Sequence, residues 1–374
     1  MLTNSINQDG NKMNRDPLYF PRQKLAMIML ESLKEGITHA FTLFAPRRMG
    51  KTQFLLNDIA PAAQEMGFNV FYFSFMDDNG DTIAERFQTA LYRFAKETSH
   101  AKSAKTFIGS LSKIEILGVG IEREPVAETI PPISDVIGVI AAAARPTVLL
   151  LDEVQELARV KHTEGLIRAL RTGLDVNQGR IKTIFTGSST NGLRAMFNNS
   201  KAPFFHFAHA LDFPLLGRDF TDFLADIYQQ RTGKTLDKEA FYQIFEQFNH
   251  TPLYMRAMTQ DMIIDPELSL EEAAKIRWEQ MHESSGHLLQ WNGLGVLERL
   301  VLHLVAQGQT ALYGAETRVL IADKLGVDEV SAATVQGAVR KLERKDLMTR
   351  DSGNTLQINS PLFQAWIVAH TKDE

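Results

Sequence analysis

The chain has 374 residues, 44% of them hydrophobic, 23% charged and none of them cysteine, with a formal net charge of −5. At roughly 100–200 residues per domain this length predicts two or three domains. The acidic balance excludes a global electrostatic case for nucleic-acid binding and leaves only a locally basic face. The lack of cysteine excludes disulfides and thiolate metal sites and fits a reducing, cytoplasmic setting.

Residues 1–16 read as a flexible tail rich in Asn, Asp and Gln, without the apolar segment of a signal peptide. The spacing of Leu25, Ile28, Met29 and Leu33 predicts a helix over 22–33. Residues 40–44 read as a buried strand that runs into a loop at 45–52 and a helix over 51–66. Residues 70–75 form a second strand by their β-branched and aromatic content, followed by an amphipathic helix over 82–97. Ile114, Ile116, Val119 and Ile121 predict a pair of short strands or a hairpin near Gly118 and Gly120. After Pro131 and Pro132 come a helix over 134–144, a third strand over 147–151, a helix over 164–173 and a fourth strand over 182–186. The apolar stretches here are too short to span a bilayer, so no membrane partner is expected. The alternation predicts an α/β domain over 17–216, with a mostly parallel sheet covered on both faces. Helical segments at 219–230, 238–248, 253–262 and 270–282 predict a small helical domain over 217–292. In 293–374, a helix over 334–345 precedes two strands at 347–349 and 355–358 around a turn at 351–354, the order of a winged-helix module.

The sharpest motif is Ala45-Pro46-Arg47-Arg48-Met49-Gly50-Lys51-Thr52, which matches the phosphate-binding pattern G-x-x-x-x-G-K-[ST] except for Ala45 at the first Gly position. Such a loop wraps backbone N–H groups around phosphate oxygens, and the helix starting near Lys51 adds unpaired N–H groups and a positive dipole end. Gly50 permits close approach and unusual dihedrals. Lys51 should reach the β- and γ-phosphates and Thr52 should place its hydroxyl on Mg²⁺. The Ala45 methyl fits if that residue needs no positive φ. Arg47 and Arg48 face either phosphate, a partner or solvent. The apolar run 147–151 then delivers Asp152 and Glu153 to a strand end, where ligands of open α/β sheets sit. Asp152 is the candidate for Mg²⁺ and Glu153 for orienting the attacking water, in an in-line transfer of the γ-phosphoryl group of ATP to water. Gln155 either shapes this site or starts a surface helix.

The strand over 182–186 ends in Gly187-Ser188-Ser189. Ser188, then Ser189, is the candidate γ-phosphate sensor, the alternative being an N-cap for a helix over 191–197. Arg194 and Arg218 are either phosphate-contacting arginines or, more simply, surface salt bridges. In the C-terminal module Arg340, Lys341, Arg344, Lys345 and Arg350 form a basic group that suits double-stranded DNA, a protein partner or an intramolecular contact, diluted by Glu343, Asp346 and Asp351. Val301, Leu302, Val305, Leu342 and Leu347 read as module core, and Phe363 and Trp366 as packing for the terminal segment. His206, His209 and His303 form no metal pattern with nearby acids.

On the segments 44–56, 148–157, 185–189 and 214–224, the chain resembles P-loop ATPases of the AAA+/STAND border, particularly the archaeal-type ATPases, which include bacterial members. It is more distantly similar to initiator-type AAA+ proteins. The resemblance implies a P-loop NTPase (AAA+/STAND-like) sheet followed by a helical lid and a winged helix. It implies Lys51, Thr52, Asp152 and Glu153, with flanking Gln53, as the nucleotide core. It further implies Ser188 as sensor, Pro21 and Arg22 near the adenine, and Arg256, close to Tyr254, as a second sensor from the lid. Three functions follow: an Mg²⁺-dependent ATPase, a slow or non-hydrolysing nucleotide-gated switch for a protein partner, and an ATP-regulated DNA-binding protein. Homo-oligomerisation is compatible with each.

Overall fold

Strands and helices alternate along the first half of the chain, and this alternation builds one parallel sheet. The computed structural model describes residues 16–76, 82–99, 130–160, 163–188, 196–197, 202–284, 287–350 and 355–371. The hairpin expected near Gly118, the turn at 351–354, Ser189 and Arg194 lie outside the described residues. The sheet comprises β1 (Ala40–Phe44), β2 (Asn69–Ser74), β3 (Thr147–Asp152), β4 (Ile181–Gly187) and β5 (His209–Asp212), all paired in parallel in the order β2-β3-β4-β1-β5. Every residue of β3 and β4 is buried, as a sheet covered on both faces requires. The strand β5 has no counterpart among the sequence expectations. It is four residues long, lies at the sheet edge and is largely exposed, so it carries no apolar run to read.

The sheet packs helices on each face. These are α1 (Gln23–Glu35), α2, α3 (Ile83–Thr98), α4 (Ile133–Ala141), α5 (Gln155–Arg159) and α6 (Glu164–Val176). Helix α2 starts as Lys51–Phe54, passes through a π-helical turn at Leu55–Ile59 and continues over Ala60–Glu65. Leu149 and Leu151 of β3 pack with Phe87, Ile137 and Leu170 of α3, α4 and α6. Val148 and Leu150 pack with Leu30, Phe54 and Ile59 of α1 and α2. This is the period-two alternation of a strand dividing its side chains between two faces. Each buried Leu contributes about 1.5–3 kcal/mol relative to exposure. Gly173 lets α6 close on α4, because a Cβ there would stand 2.8 Å from Ile137 Cδ1.

The chain divides into two compact units, Met1–Pro21 with Leu215–Met281, and Arg22–Pro214 with His282–Glu374. The first contains α7 (Arg218–Thr232), α8 (Lys238–Gln247), α9 (Pro252–Ile264) and most of α10 (Leu270–Ser284) around Phe220, Phe241, Phe245, Met255 and Met258. It ends at Met281 rather than 292, because α11 (His287–Asn292) contributes Trp291 to the C-terminal core. Among the described residues no helix is long and apolar enough to cross a membrane.

The C-terminal segment continues with α12 (Val296–Ala306), α13 (Ala315–Leu325) and α14 (Ala332–Arg344). Then β6 (Met348–Arg350) pairs antiparallel with β7 (Leu356–Ile358), and α15 (Pro361–His370) closes the chain. Val301, Leu302, Val305, Leu342, Leu347, Phe363 and Trp366 are all buried in one core, as their spacing predicts. His303 is buried in the same segment. The Gln307 amide, 2.7 Å away, donates to its Nε2, which leaves Nδ1–H to donate to Thr371 Oγ1 at 2.7 Å.

Glu298, in the first turn of α12, is also buried and accepts from Lys345 Nζ at 2.9 Å and the Gly295 N–H at 3.5 Å, with Lys341 Nζ at 3.6 Å. Burial pushes its carboxyl up, but the Lys345 hydrogen bond and the two ammonium charges outweigh that and hold it below the ordinary carboxylate range. The folded-state value is therefore below the unfolded one. The resulting stabilisation is complete above the unfolded value and is lost as pH falls through the folded one. Glu298→Gln should lower stability at pH 7 by about 1 kcal/mol and flatten its fall below about pH 4, read by urea titrations followed through tryptophan fluorescence. An unchanged acid limb in the variant would refute the pairing.

Candidate nucleotide-binding site

The loop between β1 and α2 has the backbone a phosphate cradle needs. Gly50 sits at φ 89°, and no side chain caps the N-terminus of α2. The first-turn N–H groups of a helix have no partner within it, so they point outward to an incoming anion. Ala45 is not among the described residues with positive φ, and its methyl group is buried in the α1–α2 core. The substitution at the first Gly position is therefore accommodated. Arg48 instead takes φ 70°, while Pro46, Arg47 and Arg48 are all exposed at the loop surface. Met49 is buried and anchors the loop. Gln53, exposed on α2, accepts from Asn57 Nδ2 at 2.7 Å.

Lys51 is only 4% exposed, and its ammonium folds back onto its own loop, donating to Ala45 O at 2.7 Å and Pro46 O at 2.9 Å. Glu153 Oε1 stands 4.0 Å away. Burial lowers the Lys51 pKa, and Arg47 adds to this, while Glu153 and Asp152 act against it.

Strand order explains why separate chain segments meet here. β4 lies between β1 and β3, with Phe44 level with Gly187 and Leu151 level with Phe185. The end of β4 is thereby set between the phosphate loop and the acid pair. Thr52 Oγ1 donates to Asp152 Oδ2 at 2.6 Å, Tyr72 O–H donates to the same oxygen at 3.2 Å, and the Thr186 hydroxyl donates to Asp152 Oδ1. A hydroxyl beside a carboxylate, an all-oxygen pair, fits a hard cation. One carboxylate and one hydroxyl suit Mg²⁺ when phosphate oxygens and water complete its shell.

Glu153 adopts φ 56°, a sparsely populated conformation for a residue with a side chain. Its Oε2 accepts from Ser188 Oγ at 2.7 Å, Ser188 N at 3.0 Å and Gln155 Nε2 at 2.5 Å. Burial pushes the Glu153 carboxyl up, but these hydrogen bonds and the Lys51 charge prevail and keep it below the ordinary carboxylate range. Arg47 Nε reaches Ser188 Oγ at 3.4 Å. Ser188 thus does not stand free, and the start of the helix expected over 191–197 lies outside the described residues. Its single hydroxyl hydrogen goes to Glu153.

Of the other candidates, Arg22 lies at the start of α1, with its guanidinium 4.0 Å from the Phe213 ring centroid. It donates to the Pro214 carbonyl, and its backbone N–H donates to buried Asp58 Oδ2 at 2.9 Å. Arg256 belongs to the helical unit and pairs with Asp16. Arg218 forms the surface salt bridge that was one of its two readings, 2.6 Å from Glu239. The basic group of the C-terminal segment is divided. Lys341 and Lys345 face Glu298, while Arg350 donates to Glu343 at 3.3 Å and to Tyr313 O–H at 3.1 Å. Arg340 and Arg344 remain exposed, without an acidic partner among the described residues. The rings of His206 and His209 rest against Phe205 and Phe41. Tyr72 and Thr186 were not singled out from sequence. Thr186 carries the one available signal, as a polar residue at the end of an apolar strand beside Gly187.

No protein-family model matches the sequence, and no curated protein does. Solved structures do. The chain is similar to the Walker-type ATPase of Pyrococcus abyssi, with TM-score 0.62 and 15% identity over 94% of this chain and 96% of that one. It is also similar to the ORC2 protein of Aeropyrum pernix in its ADPNP-ADP complexes, with TM-score 0.53 and 16% identity over 97% and 99%. The ADP form of the same protein gives TM-score 0.54 at 16% identity over 94% and 97%. At this identity the likeness is one of fold, and the chain shares the fold of these two proteins over nearly its whole length.

Proposed function

We propose that the protein binds ATP with Mg²⁺ and hydrolyses it to ADP and phosphate, with the helical unit and the C-terminal segment responding to nucleotide state. The observation that carries this reading is the convergence of Lys51, Thr52, Asp152 and Glu153, with Thr52 Oγ1 2.6 Å from Asp152 and Lys51 Nζ 4.0 Å from Glu153. Backbone N–H groups of the loop and of the start of α2 cradle the phosphates. Lys51 exchanges its two loop carbonyls for β- and γ-phosphate oxygens. Thr52 and Asp152 would hold Mg²⁺, which when bound supplies positive charge against the phosphate oxygens. Glu153 orients a water for in-line attack, accepts its proton as the new P–O bond forms, and ADP departs with the electrons of the broken bond. Ser188 senses the γ-phosphate. Arg22 lies near the adenine, and Arg256 acts as second sensor, both on the resemblance.

The exposed pair Arg340 and Arg344, one turn apart on α14, supports a second reading in which the C-terminal segment is a winged helix that contacts duplex DNA under nucleotide control. One assay tests both. Purified protein should release phosphate from ATP with Mg²⁺, and EDTA should abolish the release. Duplex DNA at low salt should be retained, with retention weakening as salt rises. Phosphate release that EDTA leaves unchanged would overturn the first reading, and absence of DNA retention would overturn the second.

A further inference from the structure

Glu153 is held by more than its own strand. Its positive φ turns the chain so that Gln155, two residues on and first in α5, points its amide back at the carboxylate. Gln155 is 1% exposed. Its Nε2 donates to Glu153 Oε2, while its Oε1 is buried with no partner among the described residues. A buried amide with an orphaned oxygen is a poor choice for packing alone, since Met or Leu would fill the space without an unsatisfied group. The donor half must repay it. Among the described residues all three hydrogen-bond donors on Glu153 converge on Oε2, so Oε1, with Lys51 Nζ 4.0 Å away, is left as the oxygen that can take a proton from water. Ser188 has one hydroxyl hydrogen and cannot give it to Glu153 and to a γ-phosphate at once. When Ser188 turns to the phosphate, the Gln155 amide is the side-chain donor that stays.

We infer that Gln155 is a positioning residue that fixes the Glu153 carboxylate for hydrolysis, an inference that rests on the ATPase reading. Gln155→Met keeps the volume without the donor, and Gln155→His keeps an N–H close to the position of the amide nitrogen. Steady-state phosphate release and the affinity for a fluorescent ATP analogue are measured for both variants beside the wild type. Gln155→Met should lower kcat about tenfold and leave the affinity within about twofold, and Gln155→His should recover most of the loss. Equal kcat in Gln155→Met and wild type would overturn the inference. So would equal loss in both variants, which assigns a shape role, or a loss of analogue affinity matching the loss of kcat. A wild type that binds the analogue but releases no phosphate would overturn the ATPase reading itself, an outcome distinct from all of these.

Discussion

Glu153→Gln is expected to lower kcat for ATP by at least about 100-fold while leaving nucleotide affinity within about threefold. The substitution keeps the size of the side chain and removes the group that would accept the proton of the attacking water. It also replaces an acceptor with a mixed group, so that one of its ends meets the Gln155 amide donor that the carboxylate now satisfies. Affinity should hold because Glu153 does not lie among the phosphate-cradling groups, and loss of its charge relieves repulsion toward a triphosphate. Single-turnover phosphate release together with equilibrium binding of a fluorescent ATP analogue separates the two effects. A variant with wild-type kcat would remove Glu153 from the chemistry. A variant that fails to bind would assign it to the cradle instead.

The second large effect concerns binding. Lys51→Ala should weaken ATP affinity by about 100-fold, because a charge-assisted contact worth about 1.5–3 kcal/mol is lost inside a buried cradle. The ammonium is already desolvated, with its donors on Ala45 O and Pro46 O, so it exchanges carbonyl partners for phosphate oxygens without a further large dehydration cost. Isothermal titration with ATP and Mg²⁺ measures the change, and a thermal melt of the variant shows whether the loop still folds. Full affinity in a folded variant would mean that the nucleotide sits elsewhere.

These two residues were legible because their signals are local. Gly50-Lys51-Thr52 follows an apolar strand and opens a helix, and Asp152-Glu153 ends a run of four buried aliphatic residues. The accommodation of Ala45 was not legible, since it turned on a dihedral angle. Nor were the particular acids that Lys341, Lys345 and Arg350 meet in an intramolecular contact. Glu298 lies 47 residues before Lys345, and only the packing of α12 beside α14 brings the two together.

Periodicity and turn chemistry, which depend on neighbours a few residues apart, were enough to set out the α/β alternation, the phosphate loop, the acid pair and the apolar core of the C-terminal segment. Strand order was decided only in three dimensions, because a parallel sheet is assembled through crossovers that leave no mark of which strands become neighbours. With β4 placed between β1 and β3, the Thr186 and Ser188 hydroxyls came within hydrogen-bonding reach of Asp152 and Glu153. Tyr72 reached the same carboxylate from β2, and the positive φ of Glu153 folded Gln155 back onto it.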